Sequence, residues 1–302
     1  EAQDLSPIQW KMFEELKKNT KHMILAGDDD QAIYGWAGAD VKRFQDEPAK
    51  EIVLPQSYRV PQDVQHIADN ILDRIPDERR IKKEWKARDE QGSVHHIMTL
   101  EDVPLHEGKW LVLARYNDRL IKLKPLLREM GVYFEYKGRK SYKARLYAAI
   151  QNYTRWTKGE KLSITECKDL FEYLGKDFTQ TEERMYDLRE FGYSYTQRWF
   201  DVFETEPEDS LYIRNMLAQN EELNTTARVI LSTIHSAKGG EAENVLVILD
   251  NTKNIRDAVE RSQDKSDEEN RIWYVGVTRT KQNLYIMAAR KESNGYDIES
   301  VH

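Results

Sequence analysis

The sequence contains a single cysteine, Cys167, among its 302 residues. Intramolecular disulfides are therefore excluded, and so are zinc or iron–sulfur sites built from several cysteines. No apolar run reaches the length that a transmembrane helix needs, and no basic start followed by a short apolar stretch marks a secretory signal. These absences favour a reducing, cytosolic protein, in which we expect Cys167 to be a small, partly buried residue.

A phosphate-binding loop of the form G-x-x-x-x-G-K-[ST] is also absent from the sequence. The two Gly-Lys pairs, at 108–109 and 175–176, lack both the earlier glycine and the following serine or threonine. Without this loop there is no cradle for a β-phosphate and no hydroxyl for Mg²⁺. We therefore expect that this polypeptide does not hydrolyse ATP on its own.

The net charge of −7 argues against a protein that coats nucleic acid by bulk electrostatics. Cations nevertheless concentrate in two segments, residues 79–88 (RRIKKEWKAR) and residues 137–145 (KGRKSYKAR). Each segment has two interpretations, a solvated face or a surface that contacts phosphates. The sequence leaves both interpretations open.

Apolar runs alternate with helical stretches, which predicts an α/β fold with a parallel sheet. A chain of this length accommodates two domains. The interval 151–224 differs, because it has a helical period and few strand-like runs, and it predicts a helical insert in the sheet domain. We predict a helix over 118–130 and strands at 23–26, 51–54, 110–114, 132–136, 228–233, 245–249 and 284–288.

Polar segments follow three of the apolar runs, at residues 27–31, 233–241 and 274–279. In open α/β sheets, ligands bind at the carboxyl ends of the strands. Each segment alone is also an ordinary loop, a helix cap or a surface charge. A phosphoryl-transfer site would give the three segments a common role, because its catalysis consists of positioning the reactants and of neutralising charge on the γ-phosphate.

The order of these segments resembles the motifs of the UvrD/Rep/PcrA group of superfamily 1 DNA helicases. The resemblance spans almost the whole chain, including a G-G-E-A variant of motif V found in compact phage-type relatives. Residues 1–4 (EAQD) resemble the Walker B motif without its first aspartate. The other matches are GDDDQAIYGWAGAD at 27–40 (motif III), LPQSYR at 54–59 (motif IV), STIHSAKGGEAENV at 232–245 (motif V) and DEENRIWYVGVTRT at 267–280 (motif VI).

This resemblance implies a RecA-like, P-loop NTPase-type fold that is cut off just upstream of residue 1. Residues 1–53 would be the remnant of a first RecA-like domain. Residues 54–150 and 225–302 would form a second RecA-like domain, and 151–224 would be its helical accessory insert. The P-loop and the Mg²⁺ ligands are then expected upstream, with no metal ligand within the chain.

The resemblance also implies roles for individual residues. Glu1 would polarise the attacking water, Gln31 would sense the γ-phosphate, and Arg59 and Arg279 would contact it. ATP would bind through Tyr58, which stacks on adenine, Glu241, which approaches the ribose, and Gly239. Single-stranded DNA would bind through Tyr34, Trp36, His235 and Thr233, the two aromatic residues by base stacking.

Departures from the family pattern are Ala37 and Asn270, which replace arginines, Ser57, which replaces asparagine, and Gly240, which replaces leucine. The intact protein is expected to couple ATP and Mg²⁺ to 3′–5′ movement on single-stranded DNA or at a single/double-strand junction. Replication or repair proteins are candidate partners, in the cytoplasm of a bacterium or of a phage-infected cell. The alternatives are a non-catalytic DNA- or protein-binding module and a translocase within a nuclease complex.

Overall fold

The structure, a computed structural model, describes residues 1–298. The chain divides into two compact units: unit 1 comprises Glu1–Leu123 and the residues from Val229 onward, and unit 2 is Lys124–Arg228. The α-helices are α1 Pro7–Lys18, α2 Val41–Gln45, α3 Gln62–Leu72, α4 Asn117–Ile121, α5 Lys124–Glu129, α6 Ala144–Thr157, α7 Ile164–Phe171, α8 Trp199–Val202, α9 Pro207–Ala218, α10 Lys253–Arg261 and α11 Gln263–Val277. The strands are β1 Ser93–Ile97, β2 Trp110–Ala114, β3 Phe134–Tyr136, β4 Arg139–Lys140, β5 Val229–Thr233, β6 Ala242–Ile248 and β7 Thr280–Met287.

Unit 1 contains a parallel sheet in the order β1-β7-β6-β2-β5. In the register of its strands, Trp110 of β2 lies opposite Val229 of β5 and Asn244 of β6. Every residue of β2 is buried, as expected for a central parallel strand that is covered on both faces. The predicted α/β fold with a parallel sheet is therefore confirmed.

The apolar runs predicted the strands of this sheet well where the runs are buried. The prediction at 110–114 matches β2, and those at 228–233, 245–249 and 284–288 overlap β5, β6 and β7. The predictions at 23–26 and 51–54 are wrong, since neither segment is a strand. Ile24 is 94% exposed and Leu54 is 85% exposed. An apolar run becomes a strand only when a neighbouring strand pairs with its backbone, and among the described residues these two segments have no such partner.

Helix α11 packs against α3 and supplies much of the hydrophobic core of unit 1. Ile272, Trp273 and Val275 are fully or almost fully buried, together with Val64 and Ile71 of α3. Ser262 caps α11 by accepting a hydrogen bond from the backbone of Lys265 at 3.4 Å. The helix therefore holds the start of β7 in place, which fixes the position of Arg279 between them.

Unit 2 is built around aromatic side chains rather than a sheet. Trp156 lies fully buried against Tyr153 and Tyr195, and its indole nitrogen donates to Asp187 at 3.0 Å. Helices α6 and α7 are joined by a short loop, a longer connection that contains α8 leads from α7 to α9, and β3 and β4 form a two-stranded antiparallel hairpin. The predicted insert, 151–224, lies inside unit 2, which begins earlier, at Lys124. The domain boundaries drawn from the sequence stay predictions.

The helix predicted over 118–130 is two helices, α4 and α5, with an interruption at Lys122 and Leu123. Pro125 lies in the first turn of α5, and it has no backbone N–H to donate to Ile121 one turn earlier. Within residues 1–298, no helix combines the length and the hydropathy needed to cross a membrane.

Candidate functional site

The turn at residues 27–31 presents a glutamine side chain to the interior of unit 1. Asp28 organises this turn, because its carboxylate accepts from the backbone of Asp30 at 3.2 Å and from the side-chain amide of Gln31 at 2.7 Å. The amide oxygen of Gln31 then accepts a hydrogen bond from the Arg279 guanidinium at 3.3 Å. Two residues that the sequence placed at one catalytic centre are therefore in contact, although 248 positions separate them.

The aspartates of this turn are neutralised by the first basic cluster. Lys83 lies 2.9 Å from Asp28 and 3.0 Å from Asp30, and it also contacts Asp29. Arg80 donates two hydrogen bonds to Asp30, at 3.0 and 2.9 Å. Arg80 and Lys83, two of the six cations of segment 79–88, therefore stabilise the turn, and they are not available for phosphate contacts.

Arg279 is a buried cation with few compensating charges. Its side chain is 1% exposed, and it donates to the backbone oxygen of Val275 at 2.9 Å. Burial, followed by repulsion from Arg59, lowers its pKa to about 10. Burial also lowers the pKa of Arg59, and the Nε of Arg59 has no hydrogen-bond partner among the described residues. Neither guanidinium lies within 4 Å of a carboxylate in residues 1–298.

Lys238 links this centre to the neighbouring aromatic residues. Its ammonium group donates to the backbone oxygen of Gln31 at 2.7 Å, contacts Asp4, and lies 3.3 Å from Glu1. It also lies 5.2 Å from the ring centre of Tyr34. Partial burial raises the pKa of Glu1, but Lys238 and Gln3 outweigh this effect, so that the pKa is lowered. Glu1 is therefore held as a carboxylate.

Three aromatic rings lie together beside Lys238. The ring centres of Tyr34, Trp36 and His235 are 6.2 to 6.4 Å apart, and the Tyr34 hydroxyl donates to the backbone oxygen of His235 at 3.1 Å. Trp36 is 68% exposed, so it is not a core residue. Burial and the nearby Arg115 lower the pKa of His235 to about 4, which keeps this ring neutral near pH 7.

Two of these rings, Trp36 and His235, line a cleft of about 410 Å³, which we call the aromatic cleft. Helix α10 forms an apolar wall of the cleft through Ile255, Ala258 and Val259. The lining of the cleft also includes Trp36, Thr233, His235, Arg115, Tyr116, Asn117, Lys265, Glu268 and Glu269. An apolar slot with an exposed indole and a few polar groups has the character of a binding site for flat rings.

Among the described residues, the remaining predicted site residues make no hydrogen bond or ion pair with Arg279. Tyr58 is 87% exposed. Glu241 pairs with Lys281, and it interacts electrostatically with Arg59 and Arg279. Gly239 has a positive φ of 83°, which suits a glycine, and Thr233 donates a hydrogen bond to Ser236 at 3.0 Å. Their assigned roles stay predictions.

Sequence reasoning counted Lys238 only as one group of a possible polyanion site at 233–241, and it assigned no role to Asp28 or Arg115. Lys238 stands in the quoted segment STIHSAKGGEAENV, so its position in a motif was a usable signal. Arg115 follows β2 and donates to Glu269 at 2.9 Å, and Glu269 also accepts from Trp273 at 2.8 Å. No sequence pattern marked Arg115, because its partners are far away along the chain.

Comparison with known proteins gives matches over most of the chain. The UvrD-like helicase C-terminal domain matches residues 111–291, and the UvrD/REP helicase N-terminal domain matches residues 1–50. The ATP-dependent DNA helicase PcrA of Staphylococcus epidermidis is 35% identical over 92 residues, which cover 29% of this chain and 12% of that protein. The ATP-dependent DNA helicase PcrA of Staphylococcus aureus is 30% identical over 107 residues, 34% of this chain and 14% of that protein. The matched region is thus a small part of these relatives.

Proposed function

The chain belongs to the UvrD-like helicases, and on this premise we propose that the protein is an ATP-dependent DNA helicase that moves along single-stranded DNA. One observation carries the proposal. Lys238 contacts the backbone of Gln31, which touches Arg279, and it also lies over the ring of Tyr34, which packs beside Trp36 and His235 of the aromatic cleft. The residues expected to bind nucleotide and those expected to bind DNA therefore meet at one buried ammonium group within unit 1.

The residues around Arg279 fit a bound triphosphate. Two guanidiniums are held close together with lowered pKa values, and a bound polyanion would relieve their repulsion. Arg279 and Arg59 would bind the γ-phosphate, and Gln31 would orient the group bound beside Arg279. ATP, with Mg²⁺, supplies the phosphoryl group whose transfer to water drives movement. We assign no Mg²⁺ ligand to Asp28, Asp29 or Asp30, because Lys83 and Arg80 already pair with them.

The aromatic cleft fits the bases of a single strand. Trp36 exposes most of its indole, and Tyr34 and His235 hold their rings beside it. Every base has a π-face, so stacking on these rings would tolerate any sequence. A motor that steps along any strand needs this tolerance.

Direction and partners rest on the resemblance alone. The UvrD-like form of residues 27–40 favours 3′–5′ movement, and the natural substrate would be a single strand or a single/double-strand junction. Replication or repair proteins would act with it, in a bacterial or phage-infected cytoplasm.

The decisive experiment measures ATP hydrolysis by the intact protein with and without oligothymidylate. We expect turnover that rises with DNA, and we expect Arg279→Ala to abolish turnover while leaving DNA affinity within about twofold. Arg198→Ala is the matched control, because Arg198 is exposed in unit 2 and pairs with the exposed Asp201, and it should keep normal turnover. Tight DNA binding without any hydrolysis would support the alternative, a helicase fold used only for binding.

A titration of this chain with oligothymidylate tests the aromatic cleft separately. Trp36→Ala should weaken binding by about 1–3 kcal/mol, the usual contribution of one stacked base. Met98→Ala is the control, since Met98 is 77% exposed and does not line the cleft. Unchanged affinity in Trp36→Ala would contradict base stacking at this position.

A further inference from the structure

The hairpin of unit 2 carries a lysine where the backbone disfavours one. Strands β3 and β4 are joined by Lys137 and Gly138, whose φ angles are 52° and 69°. Two positive φ angles define the tight hairpin turn that asparagine and glycine normally occupy. Asn220 is the other non-glycine residue with positive φ in residues 1–298, and asparagine tolerates this conformation. A strained, exposed lysine at a hairpin tip indicates a function for its charge.

The cations of this hairpin are not neutralised within the protein. In the part of the chain that the structure describes, neither Lys137 nor Arg139 lies within 4 Å of a carboxylate, and both side chains are exposed. In the first basic cluster, by contrast, Arg80 and Lys83 are bound to the aspartates of the turn at 27–31, and Arg79 pairs with Asp264 and Asp267. Lys137 and Arg139 thus present charge to solvent that these three cations do not.

A third cation reinforces the positive field at the hairpin. Lys124 places its ammonium group 3.7 Å from the ring centre of Tyr136, and that of Lys137 is 5.4 Å from the same centre. Burial and the repulsion from Lys137 lower the pKa of Lys124, so these like charges are held together. Lys124 also covers a face of Tyr136, which is therefore a poor platform for stacking bases. The hairpin suits phosphates rather than bases.

We propose that the hairpin at residues 134–140 binds the phosphate backbone of double-stranded DNA through Lys137 and Arg139. A duplex presents dense phosphate charge and keeps its bases inside, which matches a surface with free cations and no free aromatic face. The proposal rests on the proposed function, because it assumes that the protein works on DNA. It assigns the duplex of a junction to unit 2, whereas the single strand is assigned to the aromatic cleft of unit 1.

The test compares duplex and single-strand binding by this chain over a range of salt concentrations. The double variant Lys137→Asn/Arg139→Gln removes both charges, and asparagine keeps the turn conformation. The matched control is Lys161→Gln/Lys168→Gln, which removes two exposed, unpaired cations from elsewhere in unit 2 among the described residues. The probes are a blunt-ended duplex of mixed sequence, oligothymidylate and poly-L-glutamate.

We expect the hairpin variant to reduce the slope of log affinity against log salt by about 1.8 on the duplex, and the control to leave it unchanged. With the affinity at about 1 M salt unchanged, this corresponds to a roughly 60-fold loss at about 0.1 M. Oligothymidylate affinity should change by less than about twofold, because the stacked bases bind elsewhere.

Three results would overturn the proposal: an unchanged duplex slope, an equal loss in the control variant, or an equal loss on duplex and oligothymidylate. A loss restricted to poly-L-glutamate would also overturn it, since the surface would then fit an acidic protein. Failure of the proposed function has a different signature, namely oligothymidylate affinity that Trp36→Ala leaves unchanged.

Discussion

Replacing Arg279 by methionine should make unit 1 more stable. Burial lowers the pKa of Arg279 to about 10, at least two units below an ordinary guanidinium, and each unit corresponds to about 1.4 kcal/mol. The charge is present in both folded and unfolded chains near pH 7, so the folded state carries a penalty of about 3 kcal/mol there. This penalty is relieved only as the pH rises through about 10.

The hydrogen bonds lost in Arg279→Met offset part of this gain. Gln31 and the backbone oxygen of Gly240 lose a donor at 3.3 and 3.4 Å, whereas the backbone oxygen of Val275 keeps a hydrogen bond from Thr278 at 3.2 Å. These two long, partly buried hydrogen bonds together contribute about 1–2 kcal/mol. We therefore expect a net increase of about 1–2 kcal/mol in the free energy of unfolding, together with loss of ATP hydrolysis in the intact protein.

Arg119→Met is the matched control with the opposite expected sign. Arg119 and Asp250 are both buried, and their charged groups lie 2.6 Å apart. Removing the arginine leaves a buried carboxylate unpaired, which should lower the free energy of unfolding by about 3–5 kcal/mol. Urea denaturation, followed by tryptophan fluorescence, measures both variants. A decrease of more than about 1 kcal/mol in Arg279→Met would refute the reasoning, because Arg279 would then stabilise the fold.

Three further predictions concern stability. Lys238→Met should lower the free energy of unfolding by about 2–4 kcal/mol, measured by urea denaturation, because Asp4 loses its buried cation. Gly92→Ala should lower the free energy of unfolding by about 2–4 kcal/mol, since the φ of Gly92 is 73° and a Cβ would lie 2.5 Å from Pro61. Gly159→Ala, where φ is 94° and no neighbour lies within 4 Å of the added Cβ, should lower it by only about 1 kcal/mol. Lowering the pH from about 7 to about 5 should lower the free energy of unfolding by about 1–2 kcal/mol, because burial lowers the pKa of His235 to about 4 in the folded chain, so that the ring binds a proton in the unfolded chain only. His235→Asn should abolish this loss, measured from urea midpoints at the two pH values.

The sequence predicted the strands of the sheet correctly where burial on both faces decides the structure. The run Trp110–Ala114 is apolar throughout and forms the central strand, as a strand buried on both faces should. The same rule failed at residues 23–26 and 51–54, where Ile24 and Leu54 are apolar but exposed. Composition measures the tendency of a segment to be buried, and a strand also requires a partner that composition does not specify.

The sequence motifs predicted which residues form part of the candidate site. Gln31 and Arg279 were chosen from separate motifs, and the structure brings their side chains together. The pairing of Lys83 with Asp28 could not be read from the sequence, because both residues belong to charge-rich segments that allow many pairings. For the same reason the two basic clusters looked equivalent until their partners were known. Charge patterns identify candidates, and three-dimensional contacts decide which charges remain free.

The order of strands in the sheet has a consequence for synthesis on the ribosome. Strand β2 lies between β5 and β6, yet β5 begins about 115 residues after β2 ends. At a translation rate of roughly 5–20 residues per second, the apolar segment Trp110–Ala114 has no strand to pair with for about 6–23 seconds. Unit 2 is made during this interval and can fold first, while an unpaired central strand stays exposed. The nascent chain should therefore depend on chaperones most strongly while residues 124–228 are being translated.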